Sequence, residues 1–180
     1  ATSAQFERFA AVLATTEGSA AKAQQALKWA EEFAVKTPYD LATVTEAYVK
    51  MRAYGLEPTA GLLKTLGNTA AAMDKPLLQA VEAIADAVTG ENERLKEFGI
   101  KAKVAGNTIT YEYTKAGKTM TATAQANSRA MIQATLAGIF NAQYAGAMDR
   151  LSETWGGKLS NIRDHWDKFL RKIGDAGAFG

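Results

Sequence analysis

The chain has 180 residues, 47% of them apolar and 22% charged, with a formal net charge of +2, which is the composition of a folded protein rather than a disordered one. It has no cysteine and a single histidine, His165, so thiol catalysis, zinc-cysteine sites, iron-sulfur clusters and multi-histidine metal centres are excluded. A chain this long buries roughly 70% of its unfolded surface, so its core needs neither disulfides nor a structural metal.

Alanine occupies 36 positions, whereas proline occurs only at 38, 58 and 76, a balance that favours closely packed helices. Residues 1–90 hold 8 cationic and 10 anionic side chains and residues 91–180 hold 13 and 9, an asymmetry too mild to argue for nucleic acid by itself. The longest aliphatic run, Ala10 to Ala14, falls far short of the roughly 20 residues of a membrane span. The missing initiator methionine and the ending Gly177-Ala-Phe-Gly180 lead us to expect an excerpt of a longer protein.

Phe6 to Thr16 reads either as a helix with Phe6, Phe9 and Leu13 on one face or as an edge strand, and the pattern does not decide between them. From Ser19, a suitable N-cap, Ala23, Leu27, Ala30 and Ala34 define a helix ending before Thr37-Pro38. Asp40 caps the next, with Leu41, Val44, Tyr48 and Met51 inward and Gly55 as its left-handed stop. Pro58-Thr59 is expected to open a third helix carrying Leu62, Leu63, Leu66, Ala70 and Met73, and Asp74 with Pro76 a fourth carrying Leu77, Val81, Ile84 and Val88. The short connections predict antiparallel hairpins. A charged turn from Glu91 to Phe98 is closed by Gly99, which is expected to be left-handed.

After Gly99 the apolar period falls to two: Ile100, Ala102, Val104; then Ile109, Tyr111, Tyr113; then Met120, Ala122, Ala124. With turns at Ala105-Gly106-Asn107 and Lys115-Ala116-Gly117-Lys118, this is a three-stranded antiparallel meander that must lean on the helices. Asn127 or Ser128 caps a helix with Met131, Ile132, Thr135, Leu136, Ile139 and Phe140 inward. A final amphipathic stripe, Leu151, Trp155, Leu159, Ile162, Trp166, Phe169 and Ile173, recurs at steps of three and four and is interrupted by Gly156-Gly157, where a kink is expected. The fold class expected is mainly α: a bundle of antiparallel helix hairpins over 1–146 with a β-meander inserted at about 100–124, followed by a C-terminal amphipathic extension over 147–180.

No constellation of residues reads as a catalytic, cofactor or metal site. His165 lies between Asp164 and Asp167 but opposite the apolar stripe, with no serine nucleophile placed by a recognisable turn. Glu91, Glu93 and Glu97 alternate with Arg94 and Lys96 as surface ion pairs do. Gly117-Lys118-Thr119 lacks the upstream glycine of a phosphate-binding loop. The basic segment with Lys158, Arg163, Lys168, Arg171 and Lys172 invites a nucleic-acid reading, but Trp155 and Trp166 fall on the apolar stripe rather than among the cations. The seven-residue stripe is therefore the candidate protein-interaction surface, toward the domain itself or a second copy.

Taken in order, seven fragments resemble the N-terminal domain of tail tape-measure proteins of long-tailed bacteriophages and prophages. They are Glu17-Gly-Ser19; Glu32-Phe-Ala-Val-Lys-Thr-Pro-Tyr39; Ala53-Tyr-Gly-Leu56; Leu66-Gly-Asn-Thr-Ala-Ala-Ala72; Gln79-Ala-Val-Glu-Ala-Ile-Ala-Asp-Ala87; Thr89-Gly-Glu-Asn-Glu-Arg-Leu-Lys-Glu-Phe-Gly-Ile100; and Tyr144-Ala-Gly-Ala-Met-Asp-Arg150. The resemblance covers roughly residues 6–166. It implies a non-enzymatic ruler protein around which the tail tube polymerises, with tail tube protein, tail assembly chaperones and tail-tip or baseplate proteins as partners, located in the bacterial host cytoplasm during assembly and then in the virion tail. Some relatives carry cell-wall hydrolase domains, and a DNA-contacting role in the tail channel is a further alternative. Even fully helical, 180 residues would span only about 270 Å, so the chain is expected to be a module at one end of a ruler.

Overall fold

A computed structural model describes residues 3–151 and 166–172. The fold is mainly α with one inserted antiparallel sheet, and the chain divides into two compact units: Ala1–Thr59 with Met148–Gly180, and Ala60–Ala147. The chain passes from the first unit to the second after Thr59 and returns after Ala147, and residues 166–172 belong to the first unit through Trp166 and Phe169.

In the first unit α1 (Ser3–Glu17), α2 (Ala20–Val35) and α3 (Leu41–Ala53) pack on one another. The ambiguous first segment is a helix: Phe6, Phe9, Ala10 and Leu13 are buried along one face, whereas Val12 is 42% exposed. Ser19 and Asp40 cap α2 and α3 by accepting from the amides of Lys22 and Thr43. Ala23, Ala26, Ala30 and Ala34 are all buried on α2, where their small size lets neighbouring axes approach. Gly55, at φ 75°, ends α3 with the amides of Gly55 and Leu56 bonded back to the carbonyls of Arg52 and Met51, which satisfies two orphan acceptors.

The second unit differs from expectation at its entrance. Pro58–Leu62 forms a kinked turn in which Gly61 is left-handed at φ 101°, and the regular helix α4 begins only at Leu63, running to Ala72. Asp74 does not open the following helix: at φ 51° it is the left-handed stop of α4, with the Lys75 amide bonded to the Ala70 carbonyl, and Pro76 stands at the N-cap of α5 (Leu77–Val88). The α5 stripe widens in three dimensions, since Ala80, Ala83, Ala85 and Ala87 are buried beside Leu77, Val81, Ile84 and Val88; a helix apolar on most sides becomes the centre of its unit.

A 3₁₀ turn (Glu93–Phe98) buries Leu95 and Phe98 and ends at Gly99, left-handed at φ 81°. A Cβ there would meet only the Tyr144 hydroxyl, at 3.8 Å, so strain in Gly99→Val comes from the backbone. We expect that variant to lose more than about 1 kcal/mol in chemical denaturation. An unchanged midpoint would refute the assignment.

Strands β1 (Lys101–Ala105), β2 (Thr108–Lys115) and β3 (Lys118–Gln125) form the predicted meander in the order β1-β2-β3. Ser128 caps α6 (Arg129–Tyr144), which packs on β3 and β2 as well as on α4 and α5 and buries Ile132, Leu136, Ile139 and Phe140. Burial is narrower than the alternation implied: Ile109, Tyr111 and Ala124 are buried, while Val104, Met120 and the expected inward Met131 are exposed, because one helix covers only part of one sheet face. After α6 a single turn, α7 (Ala147–Arg150), precedes the undescribed 152–165. The expected Gly156-Gly157 kink lies outside the described residues.

The Tyr111 hydroxyl is buried without a hydrogen-bond partner among the described residues, and burial pushes its pKa up to about 12. Tyr111→Phe should therefore gain about 1 kcal/mol by removing an unsatisfied polar atom. A lower melting temperature for the variant would show that the hydroxyl is satisfied.

Candidate functional site

The sequence places seven residues on a candidate contact stripe, and the structure describes three of them. Leu151 is 38% exposed after α7. Trp166 and Phe169 are buried in a helical segment over 166–172, where both rings meet Phe6 of α1, with centroids at 5.7 and 5.2 Å. The Lys172 ammonium contacts the Glu7 carboxylate at 2.7 Å in the same region. Trp155, Leu159, Ile162 and Ile173 lie outside the described residues, as does His165.

Sequence reasoning missed a polar centre on the first unit. Glu17, at the end of α1, accepts from the Tyr48 hydroxyl at 2.7 Å and from the Arg52 guanidinium at 3.1 Å. The same guanidinium reaches Glu57 at 3.3 Å, and Glu57 in turn accepts from the amide and hydroxyl of Thr59. Tyr48 and Arg52 sit one turn apart on α3, the only local clue; Glu17 is 31 and 35 residues away, and no sequence period links them.

Burial, then the hydrogen bond to Glu17, push the Tyr48 hydroxyl well above the ordinary tyrosine range, so it remains a donor. Burial opposes ionisation of Glu57, but the two Thr59 bonds and the Arg52 charge outweigh it and hold the carboxyl below its ordinary 4.5. A depressed carboxyl stabilises the fold above its unfolded pKa and loses that contribution as pH falls through the folded value. The melting-temperature gap between wild type and Glu57→Gln should thus be widest above about pH 5 and close on acidification. A gap independent of pH would contradict the charge assignment.

With Lys22, Gln25 and Trp29 these groups line a cleft of about 450 Å³, one wall of which is the Trp29 ring stacked on Phe33 at 5.2 Å. A second, more apolar groove of about 370 Å³ runs between α1 and α3, lined by Phe9, Val12, Val49 and Ala53 and flanked by Arg8 and Lys50. The acidic cluster near residue 91 resolves into surface pairs: Lys96 meets Glu93, while Arg94 reaches back to Glu82 and Asp86 on α5. Gly117-Lys118-Thr119 belongs to the β2–β3 hairpin. Among the described residues no group of three His, Asp or Glu side chains is placed to hold a metal ion, and no helix is long and apolar enough to cross a membrane.

The polar centre ties helices together through ion pairs already satisfied by one another, and the aromatic contact ties the chain's far end to its first helix. Such features define a mainly helical structural module. The chain matches the tape measure protein family over residues 1–175 and belongs to it, which makes it a structural component of bacteriophage or prophage tails. It is also similar to the Mu-like prophage FluMu protein gp42 of Haemophilus influenzae, 27% identical over 99% of this chain and 29% of that protein. The chain thus spans under a third of that relative's length. No solved structure matches it.

Proposed function

We propose that this module takes part in tail assembly and tail-length determination by contacting other proteins, with catalysis of no reaction. The observation that carries the reading is the family match across 1–175 in a chain that corresponds to 29% of a longer prophage relative. In this reading the remaining length of the whole protein is the ruler, and the two folded units are an anchoring module near one end of it. Its partners are the tail tube protein, the tail assembly chaperones and the tail-tip or baseplate proteins, met in the host cytoplasm during assembly and retained in the virion tail. The candidate contact residues are the stripe Leu151, Trp155, Leu159, Ile162, Trp166, Phe169 and Ile173, of which Leu151 offers exposed apolar surface while Trp166 and Phe169 are packed on Phe6.

The test is electron microscopy of particles made by a phage carrying the altered gene. In-frame deletions in a helical region outside 1–175 should shorten tails by about 1.5 Å per residue removed. Deleting 1–175 should instead abolish or misassemble tails. Tails of normal length and number after both deletions would overturn the proposal.

A further inference from the structure

The two edges of the meander are guarded unequally. β1 has five residues, two of them Lys101 and Lys103, and short charged edges resist pairing with another chain. β3 has eight residues, no proline, and one charge, Lys118, at its turn end. Its ladder fixes which backbone groups face outward. The Ala126 amide donates to the Asn107 carbonyl at 2.8 Å, and this register continues through Ile109 with Ala124, Tyr111 with Ala122, and Tyr113 with Met120. Narrow hydrogen-bonded pairs alternate along an antiparallel ladder, so Thr119, Thr121, Thr123 and Gln125 direct their N–H and C=O groups away from β2. All four residues are exposed; the Gln125 carbonyl accepts from the Ser128 amide at 3.1 Å, and no other backbone partner is found for these groups among the described residues. Met120, on the half-covered apolar face of the same strand, is 40% exposed.

We propose that this edge pairs with the β3 edge of a second copy of the chain, antiparallel, joining two meanders into one six-stranded sheet. Only a two-fold axis at Ala122 uses all four outward residues. That axis sets Thr121 opposite the second copy's Thr123, and Thr119 opposite its Gln125. On the apolar face Met120 lies opposite Ala124. The charges are compatible: Lys118 falls opposite Ala126 rather than another lysine, whereas a β1 edge pair would bring lysines together. Threonine–threonine cross-strand pairs add to the ladder. Because the contact is isologous it closes at a dimer, which keeps an open edge from propagating into fibres. The inference rests on this strand alone and not on the role in tails.

The chain has no cysteine, so introduced thiols report geometry directly. At the proposed axis Ala122 meets its own copy as a non-hydrogen-bonded pair with Cα atoms about 4.5 Å apart, within disulfide range. We expect the protein to sediment as a reversible dimer. Ala122→Cys should oxidise to a covalent dimer, and Thr110→Cys, on the central strand, should not. Thr121→Lys, which adds a charge to the edge, should weaken dimerisation at least tenfold, with unchanged circular dichroism because the Thr121 side chain is exposed. A monomer at millimolar concentration, a dimer indifferent to Thr121→Lys, or equal cross-linking at Thr110→Cys would each overturn the proposal.

Discussion

Replacing Phe6 with alanine is expected to destabilise the first unit by about 3–5 kcal/mol, the range for emptying a buried aromatic site. Phe6 has no exposed surface, and its ring stacks on Phe169 at 5.2 Å and meets Trp166 edge-on at 5.7 Å. Truncation therefore removes the ring's own burial and opens a cavity under two further aromatic side chains. Hydrogen exchange should show α1 and 166–172 losing protection together. Phe6→Leu keeps most of the volume and should lose less. Equal, small losses from both changes would mean that the far end of the chain does not depend on this contact.

Arg52→Ala is expected to cost about 2–3 kcal/mol at neutral pH, chiefly by leaving a buried carboxylate with one donor fewer. The Glu17 side chain is 9% exposed and depends on Tyr48 and Arg52, while Arg52 is 34% exposed, so solvent screening keeps the loss below that of a fully buried pair. The double variant Glu17→Ala/Arg52→Ala should lose less than the sum of the single changes, because the unpaired charge disappears with its partner. Strict additivity would show that the two groups do not interact.

Local chemistry was legible wherever neighbours in sequence are neighbours in space. Ser19, Asp40 and Ser128 cap the helices they were expected to cap, Gly55 and Gly99 take the left-handed stops, and the β-hairpin register follows from period two. Errors arose where one local rule had two uses. Asp74 carries a side chain suited to an N-cap, but asparagine and aspartate also tolerate positive φ, and the helix end behind it claimed the residue. Pro58 suits a first helical turn, but the left-handed Gly61 three residues later delays the helix to Leu63.

The amino-acid order alone determined the helices from Ser19 onward apart from the start of α4, the meander, the missing thiol and multi-histidine chemistry, and, through ordered fragments from Glu17 to Arg150, the family, whereas the helical state of Ser3–Glu17 came from the structure. Those properties are set by spacing within about a turn or a strand, or by residue type. The tertiary structure alone decided that Phe6 holds Trp166 and Phe169, that Glu17 joins Tyr48 and Arg52, that α5 is central, and that Val104, Met120 and Met131 face solvent. Each of these depends on which surfaces meet after the chain closes loops of tens of residues, and periodicity identifies a sticky face without naming what covers it.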